Sequence, residues 1–202
     1  GQLQAAIAGP DNLAQFLTYL HRGGSWAYWW TLPPGGDQST THWWQVGQPK
    51  DIPQGCHVYF GVHPTAAKGG ADQRAKQGTP RAVQVINCLF AEFDAKDLGN
   101  DKQAVSDHVL GLAIPPSVTI DSGGGYHCYW LLDTPYTLTT EQEQERARRI
   151  QAAWATTLGG DKGAKDLARV LRVPGTLNYK YTPPRPVFFC TCELGKVYNL
   201  DR

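Results

Sequence analysis

Residues 86–94, Ile-Asn-Cys-Leu-Phe-Ala-Glu-Phe-Asp, constrain this chain more than any other segment. A mostly apolar run this short predicts a buried strand. Glu92 and Asp94 stand at its end. A spacing of two on a strand places both carboxylates on one face, with Cα atoms roughly 7 Å apart. Two buried like charges raise each other's pKa unless a cation lies between them. The pair therefore suits a Mg²⁺ or Mn²⁺ site for phosphoryl chemistry. It also suits a plain solvated strand end.

Two later segments add to the picture. Ser122-Gly123-Gly124-Gly125-Tyr126-His127 lies between apolar runs at 117–120 and 128–132. Three glycines let backbone N–H groups converge on an anion. His127 adds a hydrogen bond or a positive charge for a phosphate. The flanking runs read as strands, which excludes a P-loop or a dinucleotide fingerprint, since both require a following helix. The competing reading is a β-hairpin turn with a packed histidine. The segment from Asp166 through Arg172 and Asn178 to Lys180 then supplies another carboxylate and two cations about a Pro-Gly turn. Another acid would complete a metal site, and the cations would hold a polyphosphate. An ordinary strand–turn–strand with surface charges is the alternative.

Taken in order, Phe90-Ala-Glu92-Phe-Asp94, Ser122-Gly-Gly-Gly-Tyr-His127 and Asp166…Arg172-Val-Pro-Gly-Thr-Leu-Asn178-Tyr-Lys180 resemble the motif series of the archaeo-eukaryotic primase superfamily. The resemblance is to the primase-polymerases of phages, plasmids and other mobile elements, and it spans residues 57–182. It implies that Glu92, Asp94 and Asp166 hold Mg²⁺ or Mn²⁺ and that His127 meets the incoming nucleotide's phosphates. Arg172 and Lys180 would reach the triphosphate. Ser122, the glycines Gly123, Gly124 and Gly125, and Asn178 would be further nucleotide contacts. Asp97 and Asp121 match no ligand position and read as turn-forming or supporting residues.

The function so implied is a DNA primase and polymerase: a template-directed nucleotidyltransferase acting in replication of a mobile element. Its partners would be nucleoside triphosphates and single-stranded or primer-template DNA, with a helicase or helical primase domain in the full-length protein. There are two departures from the family pattern. The first motif is Glu-x-Asp where Asp-x-Asp or Asp-x-Glu is common, and Gly125 stands where a serine often precedes the histidine. Three other classes compete. A non-catalytic module that stacks single-stranded nucleic acid on aromatics would retain carboxylates that repel phosphate without metal. A metal nuclease leaves the glycine–histidine turn unexplained. A sugar-nucleotide transferase needs a β-α-β unit near the N-terminus, and none is evident.

Composition sets the outer bounds. A chain of 202 residues, 41% hydrophobic and 18% charged, can bury one substantial core as a soluble domain. Net charge is only +1, so nucleic-acid binding has to come from local patches. No run reaches transmembrane length and no signal-peptide pattern opens the chain. Five cysteines without Cys-x-x-Cys spacing predict reduced thiols and a cytoplasmic setting. The Gly-Gln start and the lack of methionine predict a fragment of a longer protein.

Periodicity predicts helices over 11–22, 101–112 and 141–158, the last with a Thr140/Glu143 capping box. Strands are predicted at 26–32, 42–46, 57–62, 86–94, 117–121, 128–132 and 187–191. Five of the seven tryptophans fall between 26 and 44, as core or as a base-stacking surface, and Trp29 and Trp30 should face opposite ways. The loop from Pro64 to Pro80 carries Lys68, Arg74 and Lys76, which would follow a template, as would Arg146, Arg148 and Arg149 on the late helix. The resulting fold class is α+β: an N-terminal α/β lobe over 1–85, then an RNA-recognition-like split β-α-β sheet over 86–202.

Overall fold

The computed structural model describes residues 10–201. In chain order the elements are α1 (Pro10–His21), β1 (Trp26–Leu32), β2 (Thr40–Gln45), β3 (His57–Gly61), β4 (Val85–Asp94), a short 3₁₀ turn at Ala95–Leu98, α2 (Lys102–Leu110), β5 (Val118–Asp121), β6 (Gly125–Thr137), α3 (Glu141–Thr157), β7 (Val170–Arg172), β8 (Leu177–Asn178), β9 (Arg185–Pro186), β10 (Phe188–Cys192) and β11 (Val197–Tyr198). The fold is mixed α+β, as the sequence predicts.

One sheet has four strands in the order β2-β1-β3-β7, all antiparallel. The other has five: β4, β6, β5 and β10 form an antiparallel series, and β11 runs parallel beside β6. The β4-α2-β5-β6-α3 order places β4 and β5 on either side of β6, as a split β-α-β unit requires. The next strand, β7, departs from that expectation. It pairs with β3 and completes the N-terminal sheet, with Tyr59 opposite Arg172.

Phe16 of α1 fastens the sheets to each other. Its ring meets Phe60 of β3 at 6.1 Å, Tyr129 of β6 at 5.0 Å and Phe189 of β10 at 5.6 Å, each edge-on. These aromatics lie in one continuous apolar cluster with Trp29, Trp44, Leu171 and Val187. Edge-to-face rings add about 0.5–1.5 kcal/mol per pair beyond their buried area.

The caps explain where helices begin. Thr140 Oγ1 accepts from Glu143 N, and the Glu143 carboxylate accepts from Thr140 N at 2.8 Å, the reciprocal box its spacing predicts. Asp101 caps α2 through Gln103 N and Ala104 N. Trp29 is buried within the core, whereas Trp30 on the opposite face is only half-buried. All five cysteines are free thiols. Among the described residues no helix is long and apolar enough to cross a membrane.

Candidate active site

Strand β4 delivers two acids to a cavity of about 400 Å³ between the sheets. Glu92 and Asp94 share a strand face, as their spacing requires, and both line it. Glu92 lies directly across from His127 on β6, and Asp94 across from Gly125. From the four-stranded sheet come Trp30, Leu32, Tyr59 and Arg172. Of the other predicted residues, Ser122, Gly124, Asn178 and Lys180 also line it, whereas Gly123 and Gly125 do not. A larger cavity of about 1060 Å³ lies against α3, but it lacks Glu92, Asp94 and His127. Chemistry, not size, selects the smaller one.

Asp166 is not brought to this cavity. It lines the larger one, and its Oδ1 accepts from Ala168 N at 2.9 Å, closing its own turn. That turn aims Arg169 inward instead. Arg169 donates from Nε to Glu92 Oε2 at 2.7 Å, and its Nη2 stands 2.5 Å from the same oxygen. The acid that does line the cavity is Asp161, with Oδ2 3.6 Å from Arg169 Nη2. Its backbone N–H donates to the Glu92 carbonyl at 2.9 Å, which fixes the segment after α3 beside β4. The only sequence signal for Asp161 is a carboxylate directly after the Gly159-Gly160 helix stop. Arg169 carries no signal of its own, because its direction is set by Glu92.

The glycine turn is built more tightly than an open anion nest. Gly123 N donates to Asp121 Oδ1 at 2.8 Å and Ser122 N to Gly125 O at 3.0 Å, so these amides are engaged within the turn. Asn178 Nδ2 donates to Ser122 O at 2.8 Å and so clamps the turn from β8. Asp121 is buried and its carboxylate accepts from Lys102 Nζ at 2.7 and 2.8 Å. Gly125 has to be glycine: a Cβ there would stand 1.9 Å from Phe93 O. The serine common at that position in the resembled family would not fit this hairpin.

Electrostatics divide the lining residues. Burial pushes the Glu92 carboxyl up, and Arg169 pulls against it. Burial, reinforced by Arg172 and Arg169, lowers His127 to about 3, so its imidazole is neutral. At 3.7 Å from Glu92 Oε1 its Nε2 is too far for a hydrogen bond, and its buried Nδ1 has no partner. Arg172 is buried, donates from Nη1 to His57 Nδ1 at 3.1 Å, and lies 4.7 Å over the Tyr59 ring. Lys180 is exposed, and its side chain borders both this cavity and a neighbouring one of about 650 Å³.

A hard divalent cation takes oxygen ligands. Glu92, Asp94 and Asp161 supply them on one cavity, and the Arg169 guanidinium reaches two of these acids. Among the described residues no group of three or more His, Cys, Asp or Glu side chains is drawn together as a metal cluster. The oxygen donors are of the type that Mg²⁺ or Mn²⁺ takes, but they are not gathered into a cluster, and Glu92 is held by Arg169.

No protein-family model matches the chain. A curated relative, a replication protein of Clostridium perfringens, is 28% identical over 106 residues, covering 48% of this chain and 25% of the relative. The matched region therefore spans a quarter of that protein's length. Among solved structures, the AEP domain of the cyanophage S-2L primase-polymerase superposes with a TM-score of 0.63 at 19% identity, covering 95% of this chain and 94% of that one. The primase RepB′ gives 0.56 at 14% identity, covering 94% and 58%. The catalytic domain of RepB′ in complex with initiator DNA gives 0.54 at 14% identity, covering 94% and 87%. The chain therefore has the fold of the AEP domain of the phage primase-polymerase, shared with the primase RepB′.

Proposed function

We propose that this domain performs metal-dependent, template-directed nucleotidyl transfer, making or extending primers in replication. The observation that supports it is the convergence of Glu92, Asp94, His127, Arg172 and Lys180 on one cavity in a chain with this fold. In this reading Glu92 and Asp94, with Asp161 in place of Asp166, would hold Mg²⁺ or Mn²⁺. When bound, the metal lowers the pKa of the attacking hydroxyl and offsets charge on the phosphates.

The chain's own residues bind and orient. Arg172 is held from two sides by His57 and Tyr59, so its guanidinium is fixed before a triphosphate arrives. Lys180, on an exposed flexible stem, follows the phosphates as a point charge. Neutral His127 offers a single N–H to a phosphate oxygen. Asn178 acts through the glycine turn it clamps, as a positioning residue. The partners would be nucleoside triphosphates and DNA, in keeping with the initiator DNA bound by a solved neighbour. Whatever else the full-length protein carries, such as a helicase or helical domain, would act beside this one.

Primer-template extension with Mg²⁺ or Mn²⁺, run with ribonucleotides and with deoxyribonucleotides, tests the reading. Labelled product longer than the primer is expected. Binding of DNA without extension under any of these conditions would favour a non-catalytic module, and shortening of the primer a nuclease.

A further inference from the structure

One wall of the candidate cavity is aromatic, and its construction is specific. Trp30 on β1 lies directly across from Tyr59 on β3, which lies directly across from Arg172 on β7. The three side chains therefore stand in one row on one face of the four-stranded sheet. The Trp30 and Tyr59 rings are 5.3 Å apart, and the Arg172 guanidinium sits 4.7 Å over Tyr59.

Nearby residues on the same face show what closed packing looks like. Tyr28, two positions before Trp30, is fully buried, with Trp43 at 4.6 Å. The 64–80 loop covers that end with buried Ala75. Over Trp30 the cover thins to the Arg74 guanidinium, 5.6 Å from the ring. Trp29 and Trp43 use their indole N–H groups on backbone carbonyls, Lys50 O for one and Gly70 O and Gln73 O for the other. They are core; Trp30 and Tyr59 are half-buried and line the cavity. Leaving an indole and a phenol against solvent forgoes hydrophobic stabilisation that a planar ligand would recover.

We propose that Trp30 and Tyr59 form a stacking shelf for a nucleobase. The inference rests on the nucleotidyl-transfer reading and gives the cavity a second pole, with phosphates toward Arg172, Lys180 and His127 and a base against the sheet. The cavity, about 400 Å³, lies within the roughly 300–1,000 Å³ usual for small-ligand sites. Aromatic stacking tolerates any base, because every base has a π-face. The base belongs either to the incoming nucleotide or to a bound DNA strand.

Equilibrium titrations of wild type, Trp30→Ala, Trp30→Phe and Tyr59→Leu with dATP, inorganic tripolyphosphate and a short single-stranded oligodeoxynucleotide test it. Trp30→Ala should weaken dATP or the oligonucleotide about tenfold or more, leave tripolyphosphate unchanged, and be largely rescued by Trp30→Phe. Tyr59→Leu, which keeps apolar volume without a ring but also frees the Arg172 guanidinium, should weaken dATP or the oligonucleotide more than it weakens tripolyphosphate. Loss confined to dATP places the incoming base on the shelf; loss confined to the oligonucleotide places a strand base there. Wild-type binding of both by Trp30→Ala and Tyr59→Leu would overturn the shelf and leave nucleotidyl transfer standing. An equal loss for dATP and tripolyphosphate in Trp30→Ala would also overturn it. A wild-type protein that binds none of the three would remove the nucleotidyl-transfer reading and the shelf together.

Discussion

Glu92 is held by a cation that belongs to the protein itself. A charge-assisted pair of this geometry is worth about 1.5–3 kcal/mol, so Arg169 would compete with a metal for the same oxygen. Arg169→Gln should therefore bind Mn²⁺ about tenfold more tightly, measured by electron paramagnetic resonance of the free ion, whereas Asp94→Ala should bind it more weakly. Unchanged affinity in Arg169→Gln would mean that metal and guanidinium do not share Glu92. In primer extension Glu92→Ala and Asp94→Ala should each fall roughly 100-fold, about 2.7 kcal/mol of barrier. Asp166→Ala should stay near wild type, and Asp161→Ala should not. That Glu92 and Asp94 share one strand face was legible because a strand's period of two is rigid. Which residue of the 166–169 turn faces the cavity was not, because that turn can offer either Asp166 or Arg169 inward, and a contact from a distant strand decides it.

The hairpin of β5 and β6 depends on backbone closeness that a side chain would break. At Gly125 the absent Cβ would lie 1.9 Å from Phe93 O and 2.9 Å from Asp94 Cα, both backbone atoms that cannot swing aside. Gly125→Ala should cost about 1–3 kcal/mol and lower the melting temperature by roughly 3–10 °C, read by circular dichroism. It should also reduce extension more than its stability loss explains, since β4 would be pushed at Asp94. A melting temperature equal to wild type would contradict this packing. Helices and strands were readable from caps and periodicity, and the capping box at Thr140 needs only four residues. Pairing was less readable. Val170–Arg172 has the composition of a strand for either sheet, and it joins β3 because Leu171 meets the buried Phe60 there.

Across the whole molecule, charge is balanced locally, and this limits how DNA can be held. Net charge is +1. Arg148 and Arg149 are both tied to Glu145, at 2.8 and 2.9 Å, and Arg146 reaches Asp201 at 3.4 Å. The late helix is therefore a weaker template track than its three arginines suggest in sequence. Stability has a separate whole-molecule dependence on pH. His21 is lowered to about 4 by burial against its bond to Gly61 O, and His63 to about 3 by burial and by His21. Both are neutral in the fold and more easily protonated when unfolded. Stability is thus full above the ordinary value near 6.5 and is lost as pH falls toward the folded values. Between pH 7 and pH 5 each loses on the order of 2 kcal/mol, and His63→Leu should flatten the melting temperature's decline over that interval. An unaltered decline would show that His63 does not carry it. For DNA, the cations beside the neighbouring cavity include exposed Lys180, Lys96, which stands 3.6 Å from Asp94, and Arg185, stacked 3.7 Å over Tyr181 and bonded to Gly123 O. A strip this short offers about two to four phosphate contacts, so log Kd against log salt for a single strand should have a shallow slope of about 1.4–2.8. Lys180→Ala should reduce that slope by about 0.7, and Arg148→Ala should leave it unchanged, both followed by fluorescence anisotropy in rising KCl. Equal effects from the two variants would return the template to α3, and a slope near zero in the wild type would leave stacking on Trp30 and Tyr59 as the main source of affinity.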